Sequence, residues 1–69
     1  MNLDPMQPLL ISTSEAARLL GLSASTLEKW RFYRVPNTPP VVRIGRACRY
    51  RVTDLAEWIE QHRFNVDDA

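Results

Sequence analysis

Two short helical patterns joined by a glycine-containing link, a basic segment alternating with apolar residues around a glycine-centred turn, and a last amphipathic stretch predict a small, mainly-α domain carrying a β-hairpin. In architectural terms this is a winged helix-turn-helix: helix-turn-helix, two-stranded wing, C-terminal helix. The 69 residues support one domain. A chain of this size buries only about 60% of the surface its unfolded form exposes. A deep substrate cavity beside so small a core is not expected, and a binding module fits the length better.

Residues 1–8 carry Pro5 and Pro8 among polar residues and read as a flexible N-terminus, with the domain itself spanning 9–63. Leu9, Leu10 and Ile11 form an apolar lead-in suited to lying extended against the core. Ser12-Thr13-Ser14-Glu15 has capping-box spacing: the Ser12 hydroxyl takes the Glu15 amide hydrogen and the Glu15 carboxylate reaches back. The first helix is therefore expected over about 13–20, with Ala16, Ala17, Leu19 and Leu20 at helical spacing and Gly21 as its left-handed stop. Ser23 caps a second helix whose inward positions are Leu27 and Trp30 and which ends near Phe32 and Tyr33, one of them packed inward.

The three prolines between Val35 and Pro40 make that stretch a stiff, non-helical connector. Val42 and Ile44 then alternate with Arg43, Gly45-Arg46-Ala47 offers a turn, and Cys48, Tyr50 and Val52 alternate with Arg49 and Arg51. On this reading Val42, Ile44, Cys48, Tyr50 and Val52 share one face of the hairpin, Arg43, Arg49 and Arg51 the other, and Arg46 sits at the tip. Thr53 is the expected N-cap of a third helix over about 54–63, with Leu55, Trp58, Ile59 and His62 on the face closing the core. Residues 64–69 read as a flexible acidic tail.

The formal net charge of +1 conceals a separation of sign. Seven of the nine Lys and Arg residues (Lys29, Arg31, Arg34, Arg43, Arg46, Arg49 and Arg51) lie between positions 29 and 51, where no Asp or Glu occurs. Neutralising a row of phosphates releases counterions, and this supplies most sequence-independent affinity for duplex DNA. Arginine suits the task because its planar fork grips phosphate and guanine edges in two places and fits narrow minor grooves. A solvated face is the bland alternative for such a run, and some of these arginines are expected to pair with Glu57 or Glu60. The N-terminal end of the second helix would enter the major groove, placing Ser25, Thr26, Glu28 and Lys29 toward bases and flanking phosphates. Arg31, Tyr33 and Arg34 would clamp phosphates, and Arg43, Arg46, Arg49 and Arg51 would form the wing contact.

Other residues read as structural. Trp30 and Trp58 fall on apolar stripes, Cys48 is a small hydrophobe, and His62 stands at a helix C-terminus without ligand spacing around it. A single cysteine excludes an intramolecular disulfide and a cysteine-based metal site and fits a reducing cytoplasm. No nucleophile elbow, phosphate loop or metal spacing is present, so neither an enzyme nor a cofactor, metal or small-molecule ligand is expected. The opening residues lack a basic region and a long apolar run, and no segment is apolar enough to cross a bilayer, so the expected location is cytoplasmic and nucleoid-associated, with no membrane partner.

The segment Ser12-Thr13-Ser14-Glu15-Ala16-Ala17-Arg18-Leu19-Leu20-Gly21-Leu22-Ser23-Ala24-Ser25-Thr26-Leu27 resembles the MerR-like winged helix-turn-helix group of phage excisionases and AlpA-type regulators. Lys29-Trp30-Arg31, Val42-Arg43-Ile44-Gly45-Arg46, Arg49-Tyr50-Arg51, Thr53-Asp54-Leu55 and Trp58-Ile59 extend the resemblance over roughly residues 10–63. It implies an excisionase, a recombination directionality factor from a phage or integrative element that binds beside the sites of a tyrosine or serine integrase and bends DNA toward excision. A transcriptional regulator is the alternative in role, and a protein-protein adaptor the alternative in class. Many relatives have a glycine-rich link where this chain has its three prolines. One recognition helix and one wing read too few base pairs to select a site among about 10⁶ competitors. Several copies, head to tail on repeated sites, are therefore expected, with Phe64, Val66, Asp67 and Asp68 as candidate contacts between them.

Overall fold

The computed structural model describes residues 9–63. The expected flexible segments 1–8 and 64–69, and with them the copy-to-copy contacts at Phe64, Val66, Asp67 and Asp68, lie outside the described residues. Within 9–63 the chain forms three helices and a three-stranded antiparallel sheet in the order β1 (Leu10–Ile11), α1 (Thr13–Leu20), α2 (Ala24–Phe32), β2 (Val42–Ile44), β3 (Ala47–Arg51), α3 (Val52–Gln61). This small α/β architecture is consistent with a helix-turn-helix-like domain.

Ser12 caps α1 from extended backbone geometry, its Oγ accepting the Glu15 amide hydrogen at 3.1 Å. Only half of the predicted capping box forms. The Glu15 carboxylate turns forward to Arg18, one turn along the helix, and accepts two hydrogen bonds from its guanidinium, one of them at 2.9 Å. A two-point charge-assisted pair outcompetes a single bond to the neutral Ser12 amide. That contact holds the Glu15 carboxyl below its ordinary value and the Arg18 guanidinium above its own. Because Glu15 is lowered in the folded state, its contribution is present above the unfolded carboxylate range and is lost as pH falls through the folded value. In an NMR titration, Arg18→Ala should move the Glu15 midpoint upward, toward that of an unpaired glutamate.

Both helices of the first pair end in the same two-bond motif. In α1, Gly21 has φ 71°, its amide donates to Arg18 O at 3.2 Å, and the Leu22 amide donates to Ala17 O at 2.9 Å. In α2, the Arg34 amide donates to Arg31 O at 3.4 Å and the Val35 amide to Trp30 O at 3.0 Å. The left-handed position there is occupied by Arg34, φ 53°, where glycine would be the relaxed choice.

Ala16, Ala17 and Leu27 bring α1 and α2 together, and Ile11, Tyr50 and Leu55 complete the buried core, with Leu20, Ala24, Trp30 and Val52 packed around it. Leu19 is exposed. The expectation that Phe32 or Tyr33 packs inward is not met: they are 79% and 69% exposed and stack edge to face at 4.9 Å. Phe32 lies five residues after Leu27, about 140° round the helix from the buried face at 3.6 residues per turn. Arg31, four residues after Leu27, takes the inward direction instead and is half-buried.

The sheet differs from the predicted two-stranded wing. β1 adds a third strand, antiparallel to β3, with Leu10 opposite Arg51 and Ile11 opposite Tyr50. β3 is thus the central strand. In the hairpin, Val42 faces Arg49, Arg43 faces Cys48 and Ile44 faces Ala47. Opposed residues share a face, so Val42 and Ile44 lie with Arg49 and Arg51, whereas Arg43 lies with Cys48 and Tyr50. The predicted division into an apolar face and an arginine face is corrected accordingly. Its cause is the turn, which uses two residues, Gly45 and Arg46, rather than three. One residue fewer reverses the phase of β2 relative to β3.

α3 begins at Val52 directly after β3 and ends at Gln61, not over 54–63. Arg51 is its N-cap and Thr53 lies inside the first turn, so the predicted Thr53 cap is not formed. No side chain caps this helix; the Val52 amide donates to Leu9 O at 3.2 Å, and Asp54 sits in the first turn where a carboxylate suits the helix dipole. Leu55 is buried and Trp58 half-buried, but Ile59 and His62 are exposed rather than closing the core. Trp58 packs on Trp30 with ring centroids 6.3 Å apart, and its Nε1–H donates to Asn37 O at 2.9 Å. That bond fastens the proline connector, in which Pro39 is buried, to α3.

Candidate nucleic-acid interface

Ser23, at the N-cap of α2, accepts the Thr26 amide hydrogen at 3.2 Å, and its Oγ also lies 3.1 Å from Ser25 Oγ and 2.8 Å from Thr26 Oγ1. Three hydroxyls thus cluster where the helix presents its unpaired amides. Ser25, Glu28 and Lys29 are exposed, and Thr26 is half-buried. Glu28 brings a negative charge beside this cluster, and Lys29 follows it one residue on.

The seven cations of the 29–51 stretch do not behave alike. Arg31 points inward, and its Nη1 donates to both Thr13 Oγ1 and Tyr50 Oη at 3.4 Å. It links α2 to the start of α1 and to the central strand, and each of those hydroxyls gains a charged donor. A position four residues after a core leucine was the sequence signal for this inward role. Arg51 is partnered by Asp54 at 3.9 Å, and Glu60 by Arg63 at 3.8 Å, so among the described residues no cation of this run makes the expected pairing with Glu57 or Glu60. The remaining five, Lys29, Arg34, Arg43, Arg46 and Arg49, are exposed and have no acidic partner among the described residues. Arg49 Nη1 donates only to the neighbouring Cys48 carbonyl, at 2.9 Å.

The hairpin presents Arg46 because of Gly45. Its φ of 59° at the first turn position is the geometry a two-residue hairpin turn of this kind demands, and glycine supplies it without strain. Arg46 follows as the one side chain of the turn, with Arg43 on one sheet face and Arg49 and Arg51 on the other. Exposed Ile44 stands on the Arg49 side, whereas the sequence pattern had assigned it inward.

Arg34 carries a backbone cost. A non-glycine residue at positive φ loses on the order of 1 kcal/mol, part of which glycine would return through its own unfolded-state entropy. Arg34→Gly should therefore raise the stability of the domain by roughly 0.5–1 kcal/mol in a chemical denaturation measurement. A destabilised backbone site that retains a large cation is the kind of outlier from which a functional role is inferred.

On the far side of the connector, Pro40, Asp54, Glu57, Trp58 and Gln61 line an open groove of about 100 Å³. Among the described residues no group of three or more His, Cys, Asp or Glu is gathered closely enough to hold a metal ion, and no helix is long and apolar enough to cross a membrane. Cys48 is half-buried with a free thiol. Comparison with protein-family models and with curated proteins finds no match for the chain.

Proposed function

We propose that the chain is a sequence-specific double-stranded DNA-binding protein of winged helix-turn-helix type. The observation that carries this reading is the set of five exposed cations without acidic partners, Lys29, Arg34, Arg43, Arg46 and Arg49, spread over the end of α2 and the hairpin. The N-terminal end of α2 enters the major groove, where Ser25, Thr26, Glu28 and Lys29 read base edges or fix the register on phosphates. The hairpin is the wing, and Arg46 leads it into the adjacent minor groove. Tyr33, exposed beside Arg34, reaches the sugar-phosphate backbone.

In role, we propose a recombination directionality factor, on the strength of the motif resemblance from Ser12 to Ile59. Several copies occupy repeated sites head to tail, because one α2 and one wing read too little sequence for selection in a genome. The tail residues Phe64, Val66, Asp67 and Asp68 are the proposed copy-to-copy contact, and a nucleoid location and an integrase partner follow from the role.

The test begins with selection of bound duplexes from random-sequence DNA, followed by salt titration on a recovered duplex. With about five phosphates neutralised, log affinity should fall against log salt with a slope near −4.5. Absence of binding to any duplex at low salt overturns the DNA reading and favours a protein-protein adaptor. Thr26→Ala or Lys29→Ala should alter the preference among recovered sites, whereas Arg34→Gly, though more stable, should bind all of them more weakly. Footprinting of the flanking genome separates the roles: sites beside a recombination attachment sequence, with stimulated excision, support the directionality factor, and sites over a promoter alone overturn it in favour of a transcriptional regulator.

A further inference from the structure

We infer that Ile44 is an apolar wedge that the wing presses into the minor groove of a DNA duplex, opening a base step there; the inference rests on the DNA-binding reading above. Among the large hydrophobic residues of the three strands, Ile44 alone is exposed, at 56%. The hairpin register explains why. Its partner across the ladder is Ala47, too short to cover it, and the next residue is Gly45, around which a Cβ would meet nothing within 4 Å. Ile44 is thus the last side chain of β2 before the turn; Arg46 follows in the turn, and Arg49 lies on the same sheet face as Ile44.

A β-branched aliphatic residue more than half exposed beside guanidiniums without acidic partners among the described residues gains little from intramolecular packing at this position. Outward positions of a short sheet are ordinarily polar or charged, which also protects an edge strand such as β2 from pairing with another chain. The combination fits a surface that is anionic at its rim and apolar inside. The minor groove is such a surface: phosphates line both edges, sugars and stacked bases lie between, and a width of about 6 Å admits a side chain at a hairpin tip but not the ribbon itself. With Arg46 and Arg49 on the phosphates, Ile44 meets the base stack. Aliphatic side chains placed in this way part a base step and kink the duplex by roughly 20–90° toward the major groove.

The experiment uses the full 69-residue chain and a duplex recovered by the selection described above, with 2-aminopurine substituted at successive positions. Wild-type protein should raise the fluorescence severalfold at one step of the wing-contacted segment and shorten the end-to-end distance of a doubly labelled duplex. Ile44→Thr keeps the branched shape and strand propensity, so its melting temperature should be unchanged. At protein concentrations that saturate the duplex it should abolish the fluorescence rise, because the hydroxyl-bearing side chain no longer gains by entering the base stack. Ile44→Met, apolar but unbranched, should retain the rise. Binding by the wild type without an unstacked step, or an undiminished rise with Ile44→Thr, overturns the wedge and leaves the DNA reading standing. If Ile44→Thr does not fold, the wild-type result decides. Failure of every duplex to bind at low salt removes both, and capture of Ile44 in an interface with an anionic protein would replace the wedge by a docking contact.

Discussion

Arg46→Ala combined with Arg49→Ala should weaken duplex binding about a hundredfold at low salt, since a hydrogen bond to a charged group contributes on the order of 1.5 kcal/mol and each arginine loses one. The salt dependence is the sharper readout. Removing two of five neutralised phosphates should reduce the slope of log affinity against log salt from about −4.5 to about −2.7. The protein should remain folded, because both residues are exposed and neither has an acidic partner among the described residues. Circular dichroism checks the fold and a fluorescence-anisotropy salt series checks the slope. A double variant with the wild-type slope would show that the wing does not meet phosphate, whatever its effect on affinity.

Leu27→Ala is expected to have the largest effect on stability. Leu27 is 1% exposed and belongs to the buried cluster with Ala16, Ala17, Ile11, Tyr50 and Leu55. Truncating a buried leucine costs about 2–5 kcal/mol, through lost transfer energy and the cavity left behind. Two alanines in the same cluster offer little side-chain mass to refill that cavity. A domain of this length has roughly 3–10 kcal/mol of stability in total. The melting temperature should fall by well over 10 °C, followed by circular dichroism at 222 nm. Phe32→Ala, on the same helix but 79% exposed, should change it by only a degree or two. The contrast between a small buried leucine and a large exposed aromatic separates core packing from residue size.

The helical half of the molecule was legible because its signals are local. Ser12 and Ser23 announce helix starts through hydroxyls that reach only three residues forward, and Gly21 announces a stop through its own φ. The sheet depends on relations between separated segments, and there the reading was incomplete. Alternation along Val42–Ile44 and along Ala47–Arg51 was visible, but the phase of one strand against the other is set by the number of turn residues. Whether Ala47 belongs to the turn or the strand decides which face Ile44 and Arg43 occupy. β1 is two residues long, below the length at which periodicity carries information, and it exists because β3 offers it a partner. The start of α3 at Val52 follows from the same pairing, since Leu9 O takes the Val52 amide, one residue before the cap expected at Thr53.

In the candidate site, charge segregation was legible from the order of charged residues along the chain, whereas the division of labour among the cations was not. Arg31 and Arg34 are three residues apart and identical in type, yet one bridges Thr13 and Tyr50 and the other stands free at a left-handed backbone position. Helix geometry separates them: Arg31 still lies on the buried side of α2, and Arg34 lies beyond its end. The fastening of the proline connector by Trp58 and Asn37 spans 21 positions and carries no local mark.

β3 runs into α3 without an intervening residue, while β1 on its other side is tied by Leu9 to the first amide of that helix. The hairpin is therefore joined to the core directly rather than through a loop, and a duplex bound there would meet a backbone already held by the sheet and α3. The backbone there would not need to reorder on association, so the ordering cost at that surface would fall on the exposed arginine side chains alone.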